Sequence, residues 1–403
     1  MRELVPYILA FIFSLVALGL FLFVLYVQKR KRIKIRKAEG EYIQMRFQEM
    51  AKLDPSKPYL EQNSQWKGEM YQLGANFSAV GIQDIVLVHG TFAGHDPIDL
   101  FRMAGNAWTG FQKIKAQEGM QNKFWKLKNM AIKDLGNFPP HYVDLIEKGF
   151  GHNIKAHAFA WSSANHHWAR IQGLFSLVSY LAALPNQRIL LVGHSHAGQI
   201  FALLAWFLTP DLFLESALNK KKKAIINILR SLNAWENSEI DDFLKKIAIL
   251  RKYRLDFVTL GTAGRYPWPK AYKNKCLHLI NHRGKQPFGG SLFGVPLGIS
   301  GDYIQQMALA GSDIPSPIKS DWKINKQLDS ILGAGTNAKI WKDQIKKRQR
   351  LHPVGKNLLI DYQDQGFALN SILTVLGHGS YTRYKMLLFN FSVIWKHLYA
   401  KKF

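Results

Sequence analysis

The segment Gly193-His194-Ser195-His196-Ala197-Gly198 sets a serine among small residues, just after the apolar run Arg188 to Val192 and just before the apolar run Ala197 to Leu208. A serine on a sharp strand-to-helix turn stands clear of the sheet, and a nearby base can turn its hydroxyl into a nucleophile for acyl transfer. Such a turn leaves little room for neighbouring Cβ atoms, which is the reason for small flanking residues. The pattern departs from Gly-x-Ser-x-Gly at one letter, because Ala197 stands where the second glycine is usual. The start of the following helix would stabilise developing negative charge. Its bland alternative is an ordinary Gly/Ser-containing turn. A second segment, Val88-His89-Gly90-Thr91-Phe92-Ala93-Gly94, lies roughly 100 residues upstream, after another apolar run. Acyl transfer needs preorganised backbone N–H groups around the oxyanion, one after the nucleophile and one on an earlier loop. His196 occupies the first position, and Thr91 or Phe92 the second.

The elements that must carry these residues are legible as short strands alternating with helices. Ile85–Val88, Ile154–Trp161, Arg188–Val192, Phe257–Leu260, Leu277–Ile280 and Leu358–Ile360 are short runs of β-branched and apolar residues, which read as buried strands. Ala169–Leu184 has helical apolar spacing, and Ala197–Leu208 is apolar nearly all round, so it reads as a central helix. This alternation predicts an α/β fold: a mostly parallel sheet with helices on both faces. Residues 211–253 and 320–350 break the rhythm with basic, amphipathic helical patterns and read as insertions.

The paired segments at 88–92 and 193–198 resemble the α/β-hydrolase superfamily, in its lipase and esterase branch. Phe159-Ala160-Trp161-Ser162-Ser163-Ala164-Asn165, with Arg170 after it, resembles the strand before the nucleophile turn in membrane-linked members, and Gly377-His378-Gly379-Ser380-Tyr381-Thr382-Arg383 resembles their catalytic-histidine loop. The likeness spans about residues 84–390 and implies an α/β-hydrolase fold with a serine, acid, histidine chain order. Of the six histidines after Ser195, His196 sits in the turn itself and His278 lies mid-strand. His352 precedes a proline and His397 falls in the last basic helix, whereas His378 follows the last strand between two glycines and is taken as general base. The segment after Ile280, His282-Arg283-Gly284-Lys285-Gln286, holds no carboxylate, so Asp302 is ranked first as the acid, with Asp361 and Asp364 next and Asp313 as a further rival. Asp302 also suits a plain helix N-cap.

Charge and hydropathy bound the setting. With 54 Lys+Arg against 28 Asp+Glu in 403 residues, the chain carries +26, and a 47% apolar composition excludes a disordered or fibrous class. Leu4 to Val27 is a 24-residue run without a charge, followed by Lys29, Arg30, Lys31, Arg32, Lys34, Arg36 and Lys37. Such a run spans a hydrocarbon core of ~30 Å, and the basic flank predicts a single-pass anchor with the catalytic domain on the cytoplasmic side. The expected organisation is therefore an anchor at 1–28, a basic juxtamembrane and covering segment at 29–80, and the α/β domain at 81–403. One cysteine, Cys276, excludes an intramolecular disulfide and a cysteine metal cluster. His166-His167 are adjacent and diverge on a regular element, so no metal and no cofactor is expected. The Lys220–Lys223 run and the basic stretch Lys346 to Arg350 carry no recognisable nucleic-acid motif, and beside an anchor they fit anionic phospholipid better. The expected activity is hydrolysis of a carboxylic, lipid-type ester through Ser195, His378 and Asp302. A thioesterase or peptidase, or a non-catalytic binding module on the same fold, are the alternatives.

Overall fold

The computed structural model describes residues 41–91, 94, 134–272, 274–283, 301–333, 350–363 and 374–400. Leu4–Val27, Phe92, Asp364 and Lys346 to Gln349 lie outside the described residues, as do all of residues 97–133. Among the described residues, no helix is long and apolar enough to cross a membrane.

Seven parallel strands form one sheet. They are β1 (Tyr42–Arg46), β2 (Asp84–Val88), β3 (Lys155–Phe159), β4 (Arg188–His194), β5 (Arg254–Leu260), β6 (Cys276–Asn281) and β7 (Lys356–Asp361), in the order β1-β7-β6-β5-β4-β2-β3. All six strands expected from the sequence are present, within a few residues at their ends. The seventh comes from the segment read as a cover. Tyr42-Ile43-Gln44-Met45-Arg46 pairs with β7 as an edge strand, and α1 (Ser64–Ala79) follows it. The short exposed strand lies outside the apolar runs because only one of its edges is paired and little of it is buried.

The central strands alternate inward and outward, so each supplies both cores. Val86, Val88, Ile189, Leu191, Leu255 and Phe257 face α3 (His167–Ala182), α4 (Ala197–Leu208), α5 (Ser216–Ser231), α6 (Asn237–Leu250) and α8 (Lys319–Leu332). Ile85, Leu87, Leu190, Val192, Val258, Leu260, Leu277 and Leu279 face α1, α2 (Pro140–Phe150) and α9 (Leu387–Ile394). The expected insertion at 211–253 is thus part of one helical layer: Leu218, Ile225, Ile240 and Phe243 enter the same core as α4. All twelve residues of α4 are buried, as a helix apolar on every side requires.

From β2 the chain runs outward to β3, then returns past β2 to β4 and continues through β5, β6 and β7. The strand order reverses between β2 and β4, and Val88 lies in register with Gly193 there. In open α/β sheets, the crevice beyond the carboxyl ends of strands at such a reversal is where ligands bind. His89-Gly90-Thr91 and His194-Ser195-His196 both emerge there.

Candidate active site

Ser195 follows β4 with φ +56, a left-handed conformation that costs a non-glycine residue on the order of 1–3 kcal/mol. Its surroundings hold it. The Ser195 N–H donates to Leu260 O at 2.8 Å, and Ser195 O accepts from Thr262 Oγ1 at 2.7 Å and from the Gly198 N–H at 3.2 Å. Three glycines allow the close approach. A Cβ at Gly193 would lie 2.5 Å from Phe201, at Gly198 2.1 Å from Thr262 Oγ1, and at Gly90 2.7 Å from Ser195 Cβ. The departure at Ala197 has a local reason: its Cβ lies 3.0 Å from where a Gly193 Cβ would be, so one side chain fits in that space and two would not.

His378 Nε2 accepts from Ser195 Oγ at 2.7 Å, and His378 Nδ1 donates to Asp302 Oδ2 at 2.8 Å. Asp302 is fully buried. Its Oδ2 also accepts from Tyr381 Oη at 2.8 Å, while Oδ1 accepts from the Gln305 N–H at 2.8 Å at the start of the short helix α7 (Tyr303–Ala308). Asp302 is therefore both a helix cap and the partner of the imidazole, one oxygen for each. Burial pushes its carboxyl up, but the facing His378, the hydrogen bonds from His378 and Gln305 and the Arg350 guanidinium outweigh that and hold it below the ordinary carboxylate range. A carboxylate in this place fixes the imidazole tautomer that leaves Nε2 free to take the serine proton.

The histidine loop is tightly wound. Val375, Leu376 and Gly377 have successive φ values of +50, +55 and +81, and the His378 N–H donates to Val375 O at 3.1 Å. Leu376 O accepts from the Tyr303 N–H at 3.0 Å, and Gly377 O accepts from Asn281 Nδ2 at 2.9 Å. His194, the residue before the serine, donates from Nε2 to His378 O at 2.8 Å, so the serine turn and the histidine loop share a direct tie. Burial, and then His378 itself, push the His194 imidazole down to about 3.

The expected oxyanion residues come together in part. His196 caps α4 at its N-terminus, and its Nδ1 shares a hydrogen bond with Thr91 Oγ1, linking the β2 loop to the turn. The loop is braced from behind by the Trp161 motif. His89 Nδ1 donates to Gly90 O at 3.0 Å and its Nε2 accepts from the Trp161 N–H at 3.2 Å, while Trp161 Nε1 donates to His89 O at 2.9 Å. Phe92 lies outside the described residues.

The rival acids lie elsewhere. Asp361, at the end of β7, faces Arg46 at 3.6 Å and Arg283 at 3.3 Å. Asp313 accepts from Arg170 Nη2 at 2.6 Å and lies 2.7 Å from Arg265 Nη1; burial pushes its carboxyl up, but these two guanidiniums hold it well below the ordinary range. His167 Nε2 stands 3.3 Å from Asp313 and 3.4 Å from Asp329, a spacing that suits a cation. The cation in that place is Arg265, whose Nη2 is 3.1 Å from His167 Nε2 and donates to Gly333 O. The network is a brace between α3, the loop after β5 and the segment entering α8. Sequence reasoning missed Tyr381 and Arg350 as partners of the site. Tyr381 lies in the histidine loop and also accepts from the Asn281 N–H at 2.7 Å, whereas buried Arg350, on Gln305 Oε1 at 2.7 Å, carries no local signal.

Buried neutral histidines predict acid lability. Burial pushes His194 down to about 3 and His352 to about 4, and it holds His196 and His278 well below the imidazole range. Unfolded, each would titrate near ~6.5. Below that value the unfolded chain binds protons that the native chain refuses, so stability falls as pH drops, by about 1.4 kcal/mol per pH unit for each such histidine. A urea midpoint measured from pH 7.5 to 5 should fall steeply below about pH 6.5. A flat profile would mean these imidazoles take up protons as readily in the native protein as in the unfolded chain.

Comparison of the chain with protein-family models, with curated proteins and with solved structures finds no match, which leaves the geometry of the site itself as the ground for any functional conclusion.

Proposed function

We propose that this protein is a membrane-anchored serine hydrolase of the α/β-hydrolase fold that cleaves carboxylic esters, with lipid esters as the substrate class. The observation that carries the proposal is the unbroken hydrogen-bonded chain from Ser195 Oγ through His378 Nε2 and Nδ1 to Asp302 Oδ2, with steps of 2.7 and 2.8 Å. In this mechanism His378 takes the Ser195 proton as Oγ attacks the ester carbonyl, and the imidazolium that forms is stabilised by Asp302. The backbone N–H groups of His196 and of Thr91 or Phe92 hold the tetrahedral oxyanion, assisted by the N-terminus of α4. His378 then returns the proton to the leaving alcohol, and an acyl-enzyme on Ser195 remains. Water, activated by the same imidazole, releases the acid and restores the serine. No metal or cofactor enters these steps. Leu4–Val27 would tether the domain to the bilayer, on the side marked by Lys29 to Lys37.

A fluorophosphonate probe tests the chemistry directly, since it phosphonylates an activated serine and not an ordinary one. Labelling of the folded full-length protein, mapped by mass spectrometry to the peptide holding Ser195, is the expected result. A folded protein that takes no label would turn the reading toward a binding module on the same fold.

A further inference from the structure

We infer that the exposed face of α8 is a docking surface for an anionic phospholipid bilayer, which seats the end of the sheet that bears Ser195 against the membrane. The inference rests on the membrane placement proposed above and not on the ester chemistry.

The helix has two unlike faces. Asp321, Ile324, Asn325, Leu328 and Leu332 are buried against the core. Lys319, Lys323, Lys326 and Ser330 follow a spacing of four, three and four residues, which places them on one outward stripe, and all are exposed. Among the described residues from Ile314 to Leu332 no carboxylate shares that stripe. Asp321 is buried, and half-buried Asp329 turns to His167 at 3.4 Å. Beside the stripe stands Trp322, 45% exposed, with Lys326 Nζ 5.2 Å above its ring, and Ile314 before the helix is also exposed.

This combination matches one environment closely. Lysines on long stems reach anionic headgroups while an indole sits at the boundary with the acyl chains. A single-stranded nucleic acid surface would instead call for several stacking aromatics along the charge track. The location also fits. Asn325 Oδ1 accepts from the Trp168 N–H at 2.8 Å in the first turn of α3, the helix that follows β3, and Gly333 O accepts from Arg265 after β5, so α8 lies beside the carboxyl ends of β3 and β5. A bilayer touching α8 faces the same end of the domain as the serine.

The test uses full-length protein reconstituted in nanodiscs of phosphatidylcholine alone or with phosphatidylserine. Cys276 is buried and its thiol is pushed well up by burial, so it stays unlabelled while an environment-sensitive fluorophore is placed through Ser330→Cys, or through Gln72→Cys on the opposite helical layer as the reference. The expected result is a blue shift and quenching by spin-labelled lipid at position 330 in phosphatidylserine discs only. That signal should vanish with K319E/K323E/K326E, with the milder K319Q/K323Q/K326Q, and at 1 M salt, where the Debye length is about 3 Å. No response at 330 in protein that is incorporated into discs, or an equal response at 72, would overturn the docking face and leave the membrane placement standing. Protein that enters neither kind of disc would overturn the placement and the docking together. A probe at 330 that answers to RNA but not to phosphatidylserine would overturn the lipid assignment.

Discussion

Ester turnover is expected to fall by on the order of 10⁶-fold in Ser195→Ala and, separately, in His378→Ala, with the double variant no worse than either. The two groups act as one unit. Ser195 Oγ lies 2.7 Å from His378 Nε2, and removing either leaves the other without a role. Residual rate over water would come from the oxyanion donors and from binding alone. Folding should survive Ser195→Ala, because the change removes one oxygen at a turn whose backbone is held by Leu260, Thr262 and Gly198 and not by the hydroxyl. Steady-state kinetics on a soluble ester, with a urea midpoint measured alongside, check both halves. A well-folded Ser195→Ala protein with undiminished turnover would remove Ser195 from the chemistry, and losses that multiplied in the double variant would mean that two separate groups act.

Asp302→Asn is the second large effect, expected near 10⁴-fold in kcat. The amide keeps an oxygen to accept from the Gln305 N–H, so the cap of α7 stays in place. Toward His378 Nδ1, now 2.8 Å from a carboxylate, it presents an NH2 group in place of an acceptor. The imidazole then settles with its proton on Nε2, facing Ser195 Oγ, where it cannot take the serine proton. Tyr381 Oη loses a charged acceptor at 2.8 Å as well. Asp361→Asn is the paired control and should leave kcat unchanged, because Asp361 serves Arg46 and Arg283 at the far side of β6 from β5. An active Asp302→Asn beside an impaired Asp361→Asn would reverse the assignment.

Local order along the chain was enough to read the parallel sheet. Short runs such as Ile85–Val88 and Ile189–Val192 are buried on both sides, so they are apolar throughout and stand out from their neighbours. The same holds for Ala197–Leu208, a helix with no polar face. The edge strand Tyr42–Arg46 escaped notice because an edge needs no such run. Ser195 and His378 were legible for a related reason: each sits in a turn that demands small neighbours, and Gly193, Gly198, Gly377 and Gly379 mark those turns in sequence.

The acid was not legible in that way. The chain leaves β6 through Arg283 and is next described at Gly301, where the Asp302 N–H donates back to Asn281 O at 3.0 Å. A carboxylate absent from the first residues after the strand is thus returned to the strand's end from about twenty residues further on. Gly301, with φ +88, permits that return, since a Cβ there would lie 2.3 Å from Asn281 O. Several aspartates had the right residue type and a tolerable place in the order. Only the packing of Gly301 on β6, with Tyr381 and His378 brought over from the last loop, separates Asp302 from Asp313 between its two arginines and from Asp361 beside Arg46 and Arg283. Residue type and local spacing marked the serine and the histidine that the fold brings within hydrogen-bond distance of each other. The carboxylate was decided by contacts between segments far apart in sequence, because the hydrogen bonds that orient an imidazole depend on distance in space and leave no period or spacing along the chain.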